Sequence, residues 1–72
     1  EQNRAYGIHP NAIVDSSAKI GNNITIESGA IIESDVTISD GTFIGANTYI
    51  GKKSKIGSNC KIYQNVVICL PF

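Results

Sequence analysis

An aliphatic residue returns every six positions through almost the whole chain: Ile8, Val14, Ile20, Ile26, Ile32, Ile38, Ile44, Ile50, Ile56, Ile62 and Ile68. A period of six fits neither the 3.6-residue turn of an α-helix nor a heptad, and self-similarity at a fixed period outranks local propensity. Branching at Cβ suits extended backbone. The residue two before each aliphatic is Ala12, Ala18, Ile24, Ala30, Val36, Thr42, Thr48, Ser54, Cys60 or Val66, nearly all small or β-branched; Tyr6 occupies the same position ahead of Ile8. The residue three after it is Asn11, Ser17, Asn23, Gly29, Asp35, Gly41, Asn47, Lys53, Asn59 or Asn65. Asn, Asp and Gly tolerate positive φ, so this is a turn position. Each six-residue unit therefore reads as a short strand and a turn. The aliphatic and the small residue point inward, and their neighbours point outward.

One such unit cannot bury its own aliphatic residue. Three units closing a triangle can, if successive triangles stack as parallel strands about 4.8 Å apart. The coils are then 8–25, 26–43 and 44–61, with a partial fourth from Ile62. Three ladders fill the interior: Ile8/Ile26/Ile44/Ile62, Val14/Ile32/Ile50/Ile68 and Ile20/Ile38/Ile56. The expected fold is all-β, a single-stranded parallel β-helix of about three and a half triangular coils of 18 residues. Residues 1–7 read as a lead-in or linker and 8–72 as the repeat domain.

The 72 residues suffice for one small domain, and six Lys+Arg balance six Asp+Glu. That balance gives no sign of a nucleic-acid or anionic-membrane partner. No apolar run approaches the roughly 18–20 residues of a membrane span, and no signal-peptide pattern is present. Cys60 and Cys69 lack metal-ligand spacing and read as thiols of a reducing compartment. The chain has no Met, and its ladders run to Pro71 and Phe72 without a polar cap. A solenoid needs capped ends, so a fragment of a longer protein is expected.

The repeat through residues 8–68 resembles the hexapeptide-repeat acyltransferases, which form left-handed parallel β-helices. The left hand is what the resemblance implies; ordinary crossovers are right-handed. Within that group, Gly7-Ile8-His9-Pro10-Asn11-Ala12-Ile13-Val14-Asp15 followed by Ala18-Lys19-Ile20-Gly21 is similar to the opening of the β-helix in UDP-3-O-(3-hydroxyacyl)glucosamine N-acyltransferases of lipid A synthesis. Ile50-Gly51-Lys52-Lys53-Ser54-Lys55-Ile56-Gly57 and Ile62-Tyr63 also fit. UDP-N-acetylglucosamine O-acyltransferases share the Ile-His-Pro and an Ile-Tyr-Gln like Ile62-Tyr63-Gln64, and stay open beside other sugar acyltransferases. The resemblance implies a cytoplasmic homotrimer with active sites between subunits. It also implies an acyl carrier protein thioester as acyl donor and a UDP-sugar as acceptor.

Acyl transfer needs a general base and an oxyanion donor. The single histidine, His9, sits outward on the first coil beside Pro10 and reads as the start of that coil rather than as a base. The catalytic histidine of the resembled family lies on later coils. No catalytic, cofactor or metal residue is assigned. One histidine also weakens a zinc site of the kind found in hexapeptide-repeat carbonic anhydrases, which takes three protein ligands. Lys52, Lys53, Lys55 and Lys61 could attract an acidic carrier protein or a phosphate, but a solvated face explains them as well. The Gly residues after the aliphatics lack phosphate-loop spacing and read as close packing near corners.

The residues just before each aliphatic fall into three outward columns. Lys19, Thr37 and Lys55 form a solvated one; Gly7, Thr25, Phe43 and Lys61 form a mixed one. Ile13, Ile31, Tyr49 and Val67 form an apolar one. Covering such side chains stabilises by roughly 1.5–3 kcal/mol each, so this column is the expected subunit interface. The competing reading is a structural or remnant β-helix without catalysis; its ice-binding form is disfavoured because no outward rank of threonines exists. The expected fragment, lacking a credible base, is itself inactive.

Overall fold

The computed structural model describes residues 7–68. Eleven two-residue strands run through them: β1 (Gly7–Ile8), β2 (Ile13–Val14), β3 (Lys19–Ile20), β4 (Thr25–Ile26), β5 (Ile31–Ile32), β6 (Thr37–Ile38), β7 (Phe43–Ile44), β8 (Tyr49–Ile50), β9 (Lys55–Ile56), β10 (Lys61–Ile62) and β11 (Val67–Ile68). Each ends in its aliphatic residue, because a turn must follow within the same six residues. There is no helix among the described residues, and so none long and apolar enough to cross a membrane.

The strands form three parallel sheets, β1-β4-β7-β10, β2-β5-β8-β11 and β3-β6-β9. Every pairing joins residues eighteen apart, as in Ile8↔Ile26, Val14↔Ile32 and Ile20↔Ile38. The architecture is a parallel β-solenoid of about three turns, consistent with a left-handed β-helix. Pairing starts at Gly7, opposite Thr25, within the stretch read as lead-in. Tyr6 and Cys69 lie outside the described residues.

The ladders are the core. Ile26, Ile32, Ile38, Ile44 and Ile50 are at most 1% exposed. Like side chains stack on like, which fills the axis without voids. The first rung is less covered: Ile8 is 48% exposed and Val14 and Ile20 are partly buried, because coverage comes from the coil above. The small inward positions lie beside the ladders, and Ala30, Val36, Thr42 and Thr48 are fully buried. Buried hydroxyls need partners. Thr42 Oγ1 donates to Gly57 O at 2.6 Å and Thr48 Oγ1 to Tyr63 O at 3.0 Å, fifteen residues ahead in each case. Ser54 Oγ is buried with no partner among the described residues.

The corners follow the sequence pattern with two exceptions. Asn23, Asp35, Asn47, Lys53, Asn59 and Asn65 have φ between 55° and 64°, and Gly29 and Gly41 have φ of 78°. Positive φ at the third residue of a four-residue turn is the type II signature. The N–H groups of Gly41, Asn47, Lys53, Asn59 and Asn65 reach a carbonyl of the coil below, as Asn47 N–H does to Ser28 O at 3.0 Å, and Asp35 N–H reaches the Ser17 hydroxyl. Asn11 and Ser17, on the first coil, are not in this conformation.

Candidate functional site: the apolar outer column

The parallel register puts Ile13, Ile31, Tyr49 and Val67 on one line along the β2-β5-β8-β11 sheet. Ile13 pairs with Ile31, Ile31 with Tyr49 and Tyr49 with Val67. Strand alternation turns all of them outward, opposite the Val14/Ile32/Ile50/Ile68 ladder. The two ends of the line are open, Ile13 at 63% and Val67 at 66% exposed, while Ile31 and Tyr49 are half-buried. The site read from sequence is therefore brought together as one continuous apolar strip.

Its borders are polar. On one side runs the corner column Asn11, Gly29, Asn47 and Asn65. On the other run Asp15, Glu33 and Gly51. Tyr49 Oη donates to Glu33 Oε2 at 3.0 Å, sixteen residues back. This contact ties the middle of the strip to its acidic border and was not evident from the columns alone. Asp15 Oδ1 accepts the N–H and the hydroxyl of Ser17, at 2.9 and 2.8 Å. These bonds hold the Asp15 carboxyl below the usual carboxylate range: the Ser17 N–H contributes most, then the Ser17 hydroxyl, with a smaller pull from the Lys52 charge.

The other faces differ. On β7 and β10 the Lys61 ammonium lies 5.8 Å from the centroid of the Phe43 ring. On the lysine face a shallow, open depression is lined by Lys19, Gly21, Thr37, Ser39, Asp40 and Ser58. Gly21 has no room for a side chain, because a Cβ there would fall onto Asp40 Oδ1 and lie 2.9 Å from Asp40 N. Asp40 Oδ1 accepts the Asn22 N–H at 2.7 Å. His9 is exposed, and its Nδ1 accepts the Asn11 N–H at 3.0 Å within its own turn. Among the described residues no three His, Cys, Asp or Glu side chains converge as a metal site would need. Cys60 is a half-buried free thiol.

Residues 35–69 match the model for the bacterial transferase hexapeptide, six repeats. Over that span, just under half of the chain, the sequence is similar to the hexapeptide-repeat family. No curated protein matches it. The matched span begins at Asp35 and carries Lys53, Asn59 and Asn65 at its corners, each with positive φ. Hexapeptide repeat and solenoid together support a transferase of this repeat class. They describe the scaffold, since each repeat uses its side chains on the ladder and the corner, and leave chemistry to side chains carried on the outer columns.

Proposed function

We propose that this hexapeptide-repeat β-helix is the scaffold of a cytoplasmic acyltransferase. The reading moves a 3-hydroxyacyl chain from an acyl carrier protein thioester to the amine of a UDP-glucosamine derivative, as in lipid A synthesis. The observation that carries the acyltransferase class is the hexapeptide match over residues 35–69 laid on a three-sided parallel coil. The N-acyl specificity rests on the similarity of the Gly7–Asp15 segment to the opening of such β-helices. The second reading is O-acylation of a UDP-N-acetylglucosamine, supported by Ile62-Tyr63-Gln64.

The apolar strip supports a trimer in this reading. Three copies of the chain bury Ile13, Ile31, Tyr49 and Val67 against one another, and the clefts between copies hold the reaction. In this reading His9, the one histidine of these 72 residues, is not the base: its Nδ1 accepts the Asn11 N–H.

The test is an acyl-transfer assay on the full product of the reading frame that encodes these residues. The donor is 3-hydroxyacyl-acyl carrier protein, offered in parallel with UDP-3-O-acylglucosamine and UDP-N-acetylglucosamine. Amide product from the first acceptor supports the N-acyltransferase. Ester product from the second replaces it with the O-acyltransferase. Transfer to neither acceptor overturns both in favour of a structural solenoid.

A further inference from the structure

Asp40 stands before Gly41, and no other Asp or Asn of the chain is followed by glycine. Such a pair carries chemistry of its own. A protonated aspartate carboxyl loses its hydroxyl, which leaves as water with the proton of the next residue's nitrogen, and that nitrogen bonds to Cγ. The product is a five-membered succinimide. Water then opens the ring at either carbonyl and gives back aspartate or leaves isoaspartate, in which the main chain runs through Cβ and Cγ. One water leaves and one returns, and no oxidant, reductant or other reactant is needed. Glycine favours the first step because it has no Cβ to hinder the nitrogen or its swing.

The pair lies at the corner between β6 and β7, where both residues are exposed to water. Ring closure turns the peptide between them about the Asp40 Cα–C bond until its nitrogen faces Cγ. The groups that have to move are bonded to neighbouring coils. Gly41 N–H donates to Asn22 O at 2.9 Å on the coil below, and Asp40 O accepts the Asn59 N–H at 2.9 Å from the coil above. Asp40 Oδ1 accepts the Asn22 N–H at 2.7 Å, a charge-assisted bond of the stronger kind. The carboxylate can sit there only because Gly21 lacks a side chain, since a Cβ would fall onto Asp40 Oδ1. We propose that Asp40 is a latent site of isoaspartate formation, held closed by the coils stacked on either side of it and opened when this corner leaves Asn22. The modified chain is one main-chain carbon longer between β6 and β7. It no longer fits a register that pairs Thr25 with Phe43 and Thr37 with Lys55, eighteen residues apart.

The test is incubation of the whole chain in mildly acidic buffer, with isoaspartate at position 40 followed by peptide mapping and electron-transfer fragmentation. Wild type is compared with and without denaturant, and with two variants in buffer alone. Asn22→Pro removes the N–H that Asp40 accepts and keeps the carbonyl that Gly41 uses. Proline suits that place in a type II turn, and Pro10 already holds the equivalent one on the first coil. Gly21→Ala leaves both backbone groups and displaces the carboxylate. Folded wild type should form isoaspartate more slowly than the denatured chain. Each variant, its circular dichroism unchanged, should form it about tenfold faster than folded wild type, the factor carried by one hydrogen bond to a charged group. Equal rates in folded and denatured wild type, or no gain in either variant, overturns the proposal.

Discussion

Tyr49 reaches back one coil and donates its hydroxyl to Glu33 Oε2 at 3.0 Å. The bond fixes the one aromatic ring of the apolar strip against its acidic border, so the strip presents a set surface rather than a mobile side chain. An ordered amphipathic ring is well suited to a contact between copies, where rigid aromatics lose little entropy on association. Sedimentation should show the wild-type chain as an oligomer and the double variant Ile31→Lys, Tyr49→Lys as a monomer. An unchanged oligomer would place the interface on another face.

Inside the coil, Thr42 uses both capacities of its hydroxyl. It donates to Gly57 O at 2.6 Å and accepts Cys60 N–H at 3.3 Å. Thr42→Val keeps the shape and leaves two backbone groups without that partner. Because an unsatisfied buried group costs about 1–3 kcal/mol, chemical denaturation should show a loss of that size.

Two corner-related substitutions should act in opposite directions. Lys53 holds φ at 64° with a side chain that gains nothing from it. The left-handed conformation costs a residue with a Cβ roughly 1–2 kcal/mol, offset in part by the unfolded-state freedom of glycine. Lys53→Gly should therefore raise the denaturation midpoint, by up to about 1 kcal/mol. Gly45 is the reverse case: a Cβ there would meet Gln64 N at 2.5 Å and Tyr63 C at 2.7 Å, backbone atoms that cannot swing aside. Gly45→Ala should cost about 1–3 kcal/mol by overpacking. A neutral result would mean that β10 can shift away from β7.

Asp15 sets a pH dependence whose sign follows from its lowered pKa. The folded state holds its proton less tightly than the unfolded state, so its stabilisation is fully present above the ordinary aspartate range. It fades as pH falls through the lower, folded value. Asp15→Asn retains an acceptor but no charge. The stability gap between wild type and this variant should be constant at neutral pH and close below the ordinary aspartate range. Added salt should shrink only the part owed to Lys52. A gap that widens on acidification would contradict the assignment.

The six-residue row of aliphatics made the coil, its three ladders and its outward columns legible, because a parallel stack repeats one geometry along one axis. Corner conformation was legible for the same reason from Asn23 to Asn65. It failed at Asn11 and Ser17, where the backbone closes the turn with Ala12 N–H to His9 O and Ala18 N–H to Asp15 O, and the His9 and Asp15 side chains accept the N–H two residues ahead. Composition alone ranks Asn and Ser as turn residues but does not say which acceptor wins. The Gly residues divide similarly. Gly21 and Gly45 sit under close backbone, as close packing at corners requires, while Gly57 has only Cys60 Sγ at 3.6 Å and no such need. The bonds from Tyr49 to Glu33 and from Thr42 to Gly57 span sixteen and fifteen residues. Such offsets gain meaning only once the coil length is known.

The eighteen-residue register also governs how this chain can change length. Removing one whole coil returns every later residue to the side it already occupied. Removing six residues turns everything downstream by a third of a revolution: loss of 33–38 would bring Tyr49 and Val67 into line above Gly7 and Thr25 and leave Ile13 and Ile31 without their continuation. Insertions and deletions in descendants of this sequence should thus occur in multiples of eighteen wherever the apolar strip is in use, and in single repeats only where it has been abandoned.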